Sequence, residues 1–458
     1  MQRRIVSNEI FLDDNKVRRG KSIYIFLNEL RLGQRSLYLW CYIMKIFEPD
    51  TVWDFRVVKA KFGIGAINEI GYELEHMGVK RVLLITDEVI LETGWPEKIK
   101  EIIEERGLSV AIWTGVEPEP SKESMEKGIN FAKNENVDGF VAIGGGSAID
   151  TMKVINLITT YGGDILDYVA PPTGKGKKVP GPLRPMIAVP TTAGTGSETS
   201  PVSVISLPEK RIKVGISNDL CRPNLAILDP QLTVTMPPSV TASTGIDALS
   251  HAVEAYVTIR YDVKSKPQTP VDRPAYGGRN QLTDIFAEKA IELVGLYLRR
   301  AVYKGTDLEA RSGMLLASFL AGVAFTNAGL GADHALAMAL GGKFHVPHGV
   351  ACGLFLPAVM EFNIPAAPER FALIAHLLGE DVSGLTTYDA AYESVEAVIK
   401  LEQDIGLPNG LEEIGVREEH IKEIAADAMK LQRLLRGNPR IVKQEDLEHI
   451  VRRSMKLW

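Results

Sequence analysis

Gly139-Phe140-Val141-Ala142-Ile143-Gly144-Gly145-Gly146-Ser147-Ala148-Ile149-Asp150 decides how the chain is read. A short apolar run, Gly139–Ile143, predicts a buried strand. Three glycines follow without a spacer, and a helix over roughly Ala148–Leu157 follows them. Working outward in both directions, the same alternation recurs. Towards the N-terminus, Ala66–His76, Trp95–Arg106 and Ser121–Asn134 read as helices, the last with Ser121 as its cap. Arg81–Thr86 and Ser109–Trp113 read as strands between them. Strands separated by helices of this length indicate a parallel sheet with helical crossovers.

After Leu228-Asp229-Pro230 the pattern changes. Ser243–Thr258, Leu282–Arg300, Ala310–Ala328 and Ser383–Leu401 read as helices, and strand-like runs largely vanish. Between Thr258 and Leu282 lie Pro267, Pro270, Pro274, Gly277 and Gly278, which mark a loop. The expected organisation is an α/β domain over 44–230 and an all-α domain over 231–458. Residues 1–43 are rich in arginine and bulky apolar residues without a clear period. Met44 reads as the natural start and 1–43 as an upstream extension, with a family-specific arm as the alternative.

Composition excludes several classes. A net charge of -6 over 458 residues does not suggest a nucleic-acid partner. The apolar run Leu37–Met44 is far shorter than the ~20 residues of a membrane helix, so no membrane partner is expected. Cys41, Cys221 and Cys352 are odd in number and far apart. They make neither a disulfide framework nor a CxxC metal site, and a reducing, cytoplasmic setting is expected.

Two constellations carry chemistry. The first is a phosphate cradle. Gly144, Gly145, Gly146 and Ser147 let backbone N–H groups approach an anion closely, at a helix N-terminus whose dipole favours negative charge. The G-x-G-x-x-G fingerprint is absent, and a glycine triplet alone is equally a tight turn. Pro190-Thr191-Thr192-Ala193-Gly194-Thr195-Gly196-Ser197-Glu198 offers small hydroxyls and glycines in one loop, a surface that suits a nucleotide. It also reads as a polar turn with a capping box from Thr195 to Glu198. Asp87, just past a strand, can bind a ribose 2′-hydroxyl and repel a 2′-phosphate, which favours NAD over NADP. As a plain reading, it caps a helix.

The second constellation holds metal-ligand types. Of eight histidines, four fall between 251 and 348. Asp247 and His251 stand four apart on one predicted helix face, with Ser243 or Thr244 as its cap. His334 and His348 follow, with His345 between them. Imidazoles with one carboxylate suit Fe2+, Zn2+ or Mn2+. Singly, each histidine is a structural residue and the Asp–His pair a local hydrogen bond.

Five separated motifs, in order, resemble the iron-containing (group III) alcohol dehydrogenases, the family of lactaldehyde reductase, propanediol dehydrogenase and butanol dehydrogenase. They are Thr86-Asp87, Gly144–Asp150, Pro190–Glu198, Gly245–Tyr256 and the His334…Pro347-His348-Gly349 block, and the likeness runs from about residue 55 to the C-terminus. The resemblance implies a dehydroquinate synthase-like fold with a metal between the two domains. It implies that Asp247, His251, His334 and His348 hold the metal. It implies that Gly145, Gly146, Ser147, Asp150, Thr191, Thr192, Thr195 and Lys213 serve the cofactor, and that Phe325 lies beside the substrate. A small aliphatic alcohol, diol or aldehyde would exchange hydride with NAD, the metal acting as Lewis acid. A homo-oligomer, a dimer or larger, is expected from the family.

Two departures stand out. Met338 occupies a place where many members have a second histidine, which leaves His345 as a substitute proton relay. The 260–280 loop reads as longer than in most members. Rival readings are a lyase of the dehydroquinate synthase kind, which would carry a glutamate where Asp247 stands, a zinc enzyme of the glycerol dehydrogenase kind with three ligands, and a non-catalytic module.

Overall fold

The computed structural model describes residues 48–458 except Arg211 and His345. The extension over 1–43 and the candidate relay His345 therefore lie outside the described residues. Among the described residues there are eight strands: β1 Lys59–Phe62, β2 Arg81–Ile85, β3 Ser109–Trp113, β4 Gly139–Gly144, β5 Met186–Pro190, β6 Val202–Leu207, β7 Ile212–Ser217 and β8 Leu225–Leu228. Six form one sheet in the order β1-β8-β5-β4-β2-β3. Every pairing in it is parallel.

Four helices cover the sheet: α1 Ile70–His76, α2 Trp95–Glu104, α3 Lys122–Asn134 and α4 Gly146–Tyr161. Alternation along the strands explains why both faces are covered. Leu83, Ile85, Phe140, Ala142 and Met186 bury one face against Met125 and Ile129 of α3 and Met152 of α4. Val82, Leu84, Val141, Ile143 and Ile187 bury the other against Ile70 and Leu74 of α1 and Ile99 and Ile103 of α2. The chain reverses its build direction between β2 and β4, and ligands of open α/β sheets bind beyond the carboxyl ends of strands at such a point. Gly144 ends β4, and Asp87 stands two residues past the end of β2.

The strands predicted between 81 and 143 hold to within a residue. Ser121 caps α3 by accepting from the Ser124 N–H at 3.1 Å. The predicted helix over Ala66–His76 is a 3-10 turn to Glu69 and an α-helix only from Ile70. The antiparallel pair β6–β7 is an element that sequence periodicity did not single out.

Beyond β8 the secondary structure is helical, with 3-10 turns between α-helices. Here α5 spans Pro238–Val257, α6 Gln281–Tyr303, α7 Leu308–Ala328, α8 Ala332–Phe344, α9 His348–Asn363, α10 Pro368–Leu377, α11 Thr387–Asp404, α12 Ile421–Met429 and α13 Gln444–Arg453. Two expected helix starts are corrected. α5 begins at Pro238, so Ser243 and Thr244 lie inside it and cap nothing. Proline at the first position needs no N–H, which permits the earlier start. α11 begins after Thr386, whose hydroxyl accepts from the Asp389 N–H, and not at Ser383.

α7 and the helical stretch His348–Ala366 are long and apolar enough to cross a membrane, yet 67% and 72% of their apolar windows are buried inside the protein. They are core helices here. The halves meet where Leu315, Phe319 and Val323 of α7 pack on Ala226 and Leu228 at the β8 side of the sheet. The loop after α5 carries two 3-10 turns and no longer element, as its prolines require.

Candidate metal and nucleotide site

Helix α5 supplies three acidic or imidazole groups on one face: Asp247, His251 one turn on, and Glu254 another turn on. His334 stands in the first turn of α8, and His348 opens α9. Asp247 Oδ1 lies 3.9 Å from His251 Nδ1, 3.8 Å from His334 Nε2 and 3.9 Å from His348 Nε2. Two donors on a tetrahedral ion at ~2.1 Å stand about 3.4 Å apart. Asp247 Oδ1 thus lies no more than 3.9 Å from a ring nitrogen of each predicted histidine, while the donor atoms that all lie within 4.8 Å of one another are those of Asp247, His334, His348 and Cys352, with His251 beside them. Asp247 Oδ1 and His334 Nε2 are buried and have no hydrogen-bond partner. Orphaned buried polar atoms are costly, and a cation between them satisfies both. The residues present fit a divalent metal.

The donors are not equivalent. His251 Nδ1 faces the Gly194 carbonyl at 3.3 Å, and its ring is stacked between Phe325 at 4.3 Å and His334 at 4.4 Å. Burial, helped by the neighbouring His334, holds the His251 imidazole well below its ordinary pKa. His348 is the most open of the set, with 41% of its side chain accessible. Burial pulls its pKa down to about 4, so its ring is neutral and able to ligate at neutral pH.

Three groups that sequence reading did not assign complete the surroundings. Glu254 Oε2 accepts from His334 Nδ1 at 2.7 Å, while its Oε1 accepts the Asp333 N–H at 2.8 Å. That bond fixes the His334 tautomer so that Nε2 faces the other donors. Its signal was present in the sequence, because Glu254 is seven residues after Asp247 on an amphipathic face. Asp333 is fully buried with both oxygens unpartnered, and burial plus the charges of Glu254 and Asp247 push its pKa well up. Cys352, one turn after His348, places Sγ 3.7 Å from His348 Nε2.

The nucleotide cradle lies at the sheet's carboxyl end. Gly144 has φ 152°, and a Cβ there would sit 2.8 Å from Ala148. A Cβ on Gly146 would meet Thr195 at 3.0 Å, and one on Gly145 would meet Thr192 at 3.5 Å. The two predicted cofactor segments therefore face each other. Thr191 donates its N–H to the Gly144 carbonyl at 3.0 Å and leaves its buried hydroxyl without a partner. Ser147 Oγ bonds the Pro118 carbonyl. Asp87 caps a short helix through the Ile90 N–H at 2.9 Å and lies beside Gly144.

Asp150 turns inward. Its Oδ1 accepts from Lys153 and Ser197, and its Oδ2 accepts the Val204 N–H. Lys153 is wholly buried and also donates to the Ser197 and Val202 carbonyls. Asp150, Lys153 and Ser197 pin α4 to the 190–198 loop. The expected capping box from Thr195 to Glu198 is corrected, since no helix starts there. Glu198 is buried instead, one oxygen unpartnered, with its pKa pushed up to about 7. Lys213 Nζ pairs with Glu119 at 2.7 Å and reaches the surface of α8, 3.8 Å from where a Gly341 Cβ would lie. Phe325, on α7, stacks on His251 and abuts Gly196, so it touches both constellations.

Comparison with known proteins agrees with this geometry. Residues 58–230 match iron-containing alcohol dehydrogenase, and 276–455 match the C-terminal region of the Fe-containing alcohol dehydrogenase family. The chain belongs to the iron-containing alcohol dehydrogenase family. It is 39% identical to the NAD-dependent methanol dehydrogenase of Bacillus methanolicus over 393 residues, 86% of this chain and 97% of that one. It is 37% identical over 424 residues to the mitochondrial hydroxyacid-oxoacid transhydrogenase of Bos taurus, covering 89% of this chain and 91% of the relative. Among solved structures, a 1,3-propanediol oxidoreductase superposes with a TM-score of 0.79 at 38% identity, over 88% of this chain and 100% of that chain.

Proposed function

We propose that the protein is an NAD-dependent alcohol dehydrogenase that interconverts a small aliphatic alcohol or diol and its aldehyde, using Fe2+ held by Asp247, His251, His334 and His348. One observation carries the metal reading: Asp247 Oδ1 and His334 Nε2 are buried and unpartnered and point at the same place. An ion there supplies Lewis acidity towards an alcohol or carbonyl oxygen, and a nicotinamide supplies the hydride acceptor or donor.

The chain's own residues do the positioning. Glu254 orients His334. Gly144, Gly145 and Gly146, with Thr191, Thr192 and Thr195, leave room for a pyrophosphate and offer it N–H and hydroxyl groups. Asp87 stands where a ribose hydroxyl would lie and disfavours a 2′-phosphate. Ala321, Ala324 and Phe325 are buried on α7 and give the cleft an apolar wall that suits a short carbon chain. Met338 has no titratable proton, so α8 offers no relay at that position. The protein works as a homo-oligomer in a reducing, cytoplasmic setting.

A second reading, with a hydroxy acid as the alcohol, draws on Lys213. Its charge reaches His348, and a cation there suits a carboxylate on the substrate. The Bos taurus relative's name points the same way.

The test is anaerobic purification, stripping with chelator and separate restoration of Fe2+ or Zn2+. NADH formation is then followed from methanol, propanediol, butanol and lactate, beside an Asp247→Ala/His348→Ala double variant. Metal-restored turnover that the variant lacks is expected. Turnover indifferent to both metal and variant would overturn the metal reading. Preference for lactate, lost in Lys213→Ala, would select the second reading.

A further inference from the structure

A cavity of about 60 Å3 opens between the 50–56 segment, the 260–280 loop and the end of α7, several times the space one water needs. None of the residues lining it is a predicted metal or cofactor residue. Asn327 ties its walls together: its side-chain oxygen accepts the Arg56 N–H at 2.8 Å, and its amide nitrogen donates to the Arg56 carbonyl at 2.8 Å. Asp50 donates its N–H to the Lys264 carbonyl at 2.9 Å, which fastens the segment to the loop. The 260–280 loop, which the sequence sets apart, thus forms one wall of this cavity.

The walls carry four cations, Arg56, Arg222, Lys264 and Arg273, and three carboxylates answer them. Asp50 accepts from Arg273 at 2.8 and 3.1 Å. Asp54 lies 3.2 Å from Arg56, and Asp219 lies 3.0 Å from Arg222. Lys264 is left over. Among the described residues no carboxylate pairs with it, and its Nζ donates to the Tyr276 carbonyl at 2.6 Å. Burial alone pulls its pKa down to about 8. Only 10% of the Arg222 side chain is accessible, and its Nε is buried without a partner. Buried charge and buried donors are costly when unmatched, so the cavity lacks one negative charge.

We propose that this cavity binds a small oxyanion, a phosphate or a short dicarboxylate, held by Lys264, Arg222 and Arg56. Guanidinium forks match the paired oxygens of either ion, and the ammonium adds a point charge. Trp53 and Tyr261, edge to face at 6.5 Å, give the cavity an apolar side. The walls come from both halves of the chain, Arg222 from just before β8, and Thr326 and Asn327 from α7. A bound anion therefore bridges the two halves and stabilises the folded chain by mass action.

The test uses the metal-loaded full chain with NAD present, so that the phosphate cradle is occupied. Inorganic phosphate and succinate are titrated separately at constant ionic strength, with chloride as the control. Calorimetry is expected to show saturable binding of at least one of them, and the melting temperature is expected to rise with it. Lys264→Met and Arg56→Gln should each weaken that binding by about tenfold or more, with metal content and NAD affinity as in the wild type. A preference for phosphate or for succinate supports the proposal and names the anion. No saturable binding of either anion would overturn it. Binding that neither variant weakens would lie elsewhere on the chain and overturn it equally. Should Lys264→Met not fold, Arg56→Gln decides alone, since 38% of the Arg56 side chain is accessible.

Discussion

Glu254 Oε2 sits 2.7 Å from His334 Nδ1, and both side chains are buried. A metal-facing imidazole needs its far nitrogen occupied if the near one is to stay unprotonated and correctly turned. Glu254 would therefore act on a bound metal through His334. Glu254→Ala is expected to weaken metal affinity by roughly 10- to 100-fold, with Glu254→Gln less severe. Chelator competition measures this, and unchanged affinity in Glu254→Ala would remove the residue from the site.

Asp87 is expected to set cofactor choice. It caps a helix and also flanks Gly144 at the sheet's carboxyl end. Asp87→Ser keeps a capping oxygen but removes the charge, so stability should change by less than the ~1 kcal/mol of a lost cap. The ratio of kcat/KM for NADP to that for NAD should rise by about tenfold, the factor that goes with about 1.4 kcal/mol. Steady-state kinetics with both cofactors checks it, and an unmoved ratio leaves Asp87 as a cap only.

Gly146 is a packing test of the cradle. A Cβ there already meets three Thr195 atoms at 3.0 to 3.1 Å. Gly146→Val should push the 190–198 loop away and weaken NAD binding by about tenfold or more, measured by calorimetry. Metal content should stay near that of the wild type. Loss of both together would mean that the substitution disrupts the fold and not the cradle alone.

Glu198 gives a pH signature. Burial raises its pKa from 4.5 to about 7, so the folded chain holds this proton where the unfolded chain has lost it. The folded state then binds more protons between those values, and stability falls as pH rises from about 4.5 to about 7 before levelling off. The contribution is about 3 kcal/mol. Glu198→Gln removes it, so its melting temperature should exceed that of the wild type at pH 8 and approach it near pH 5. Parallel differences at both pH values would contradict the assignment.

How much of this was legible in the sequence differs by element. β2 and β4 announce themselves because a parallel strand covered on both faces is a continuous apolar run. The glycine triplet and the Asp247–His251 spacing are local signals, and each sits where it was expected. The early start of α5 was hidden by its own first turns, where Ser239, Thr241, Ser243 and Thr244 resemble a cap more than a helix interior. β6 and β7, six residues each, pair with each other outside the six-stranded sheet, and with Ser203 and Ser206 in one and Lys213 in the other they lack the continuous apolar run that marks β2 and β4. Asp333 and Cys352 could not be assigned locally, because their meaning comes from which helices converge. Asp150 shows the same limit in reverse. Its place in a motif suggested contact with cofactor, while its partners in space are Lys153 and Ser197.

The 190–198 loop closes against Gly145 and Gly146 on one side and accepts His251 through Gly194 on the other. A single stretch of backbone thus belongs to two equilibria at once. Whatever nucleotide does to the retention of the ion, the ion must do to the retention of nucleotide by the same factor, since coupling free energy is reciprocal. Stripping the ion and removing the nucleotide should therefore be read as two measurements of one coupling, made from the two sides of a nine-residue segment.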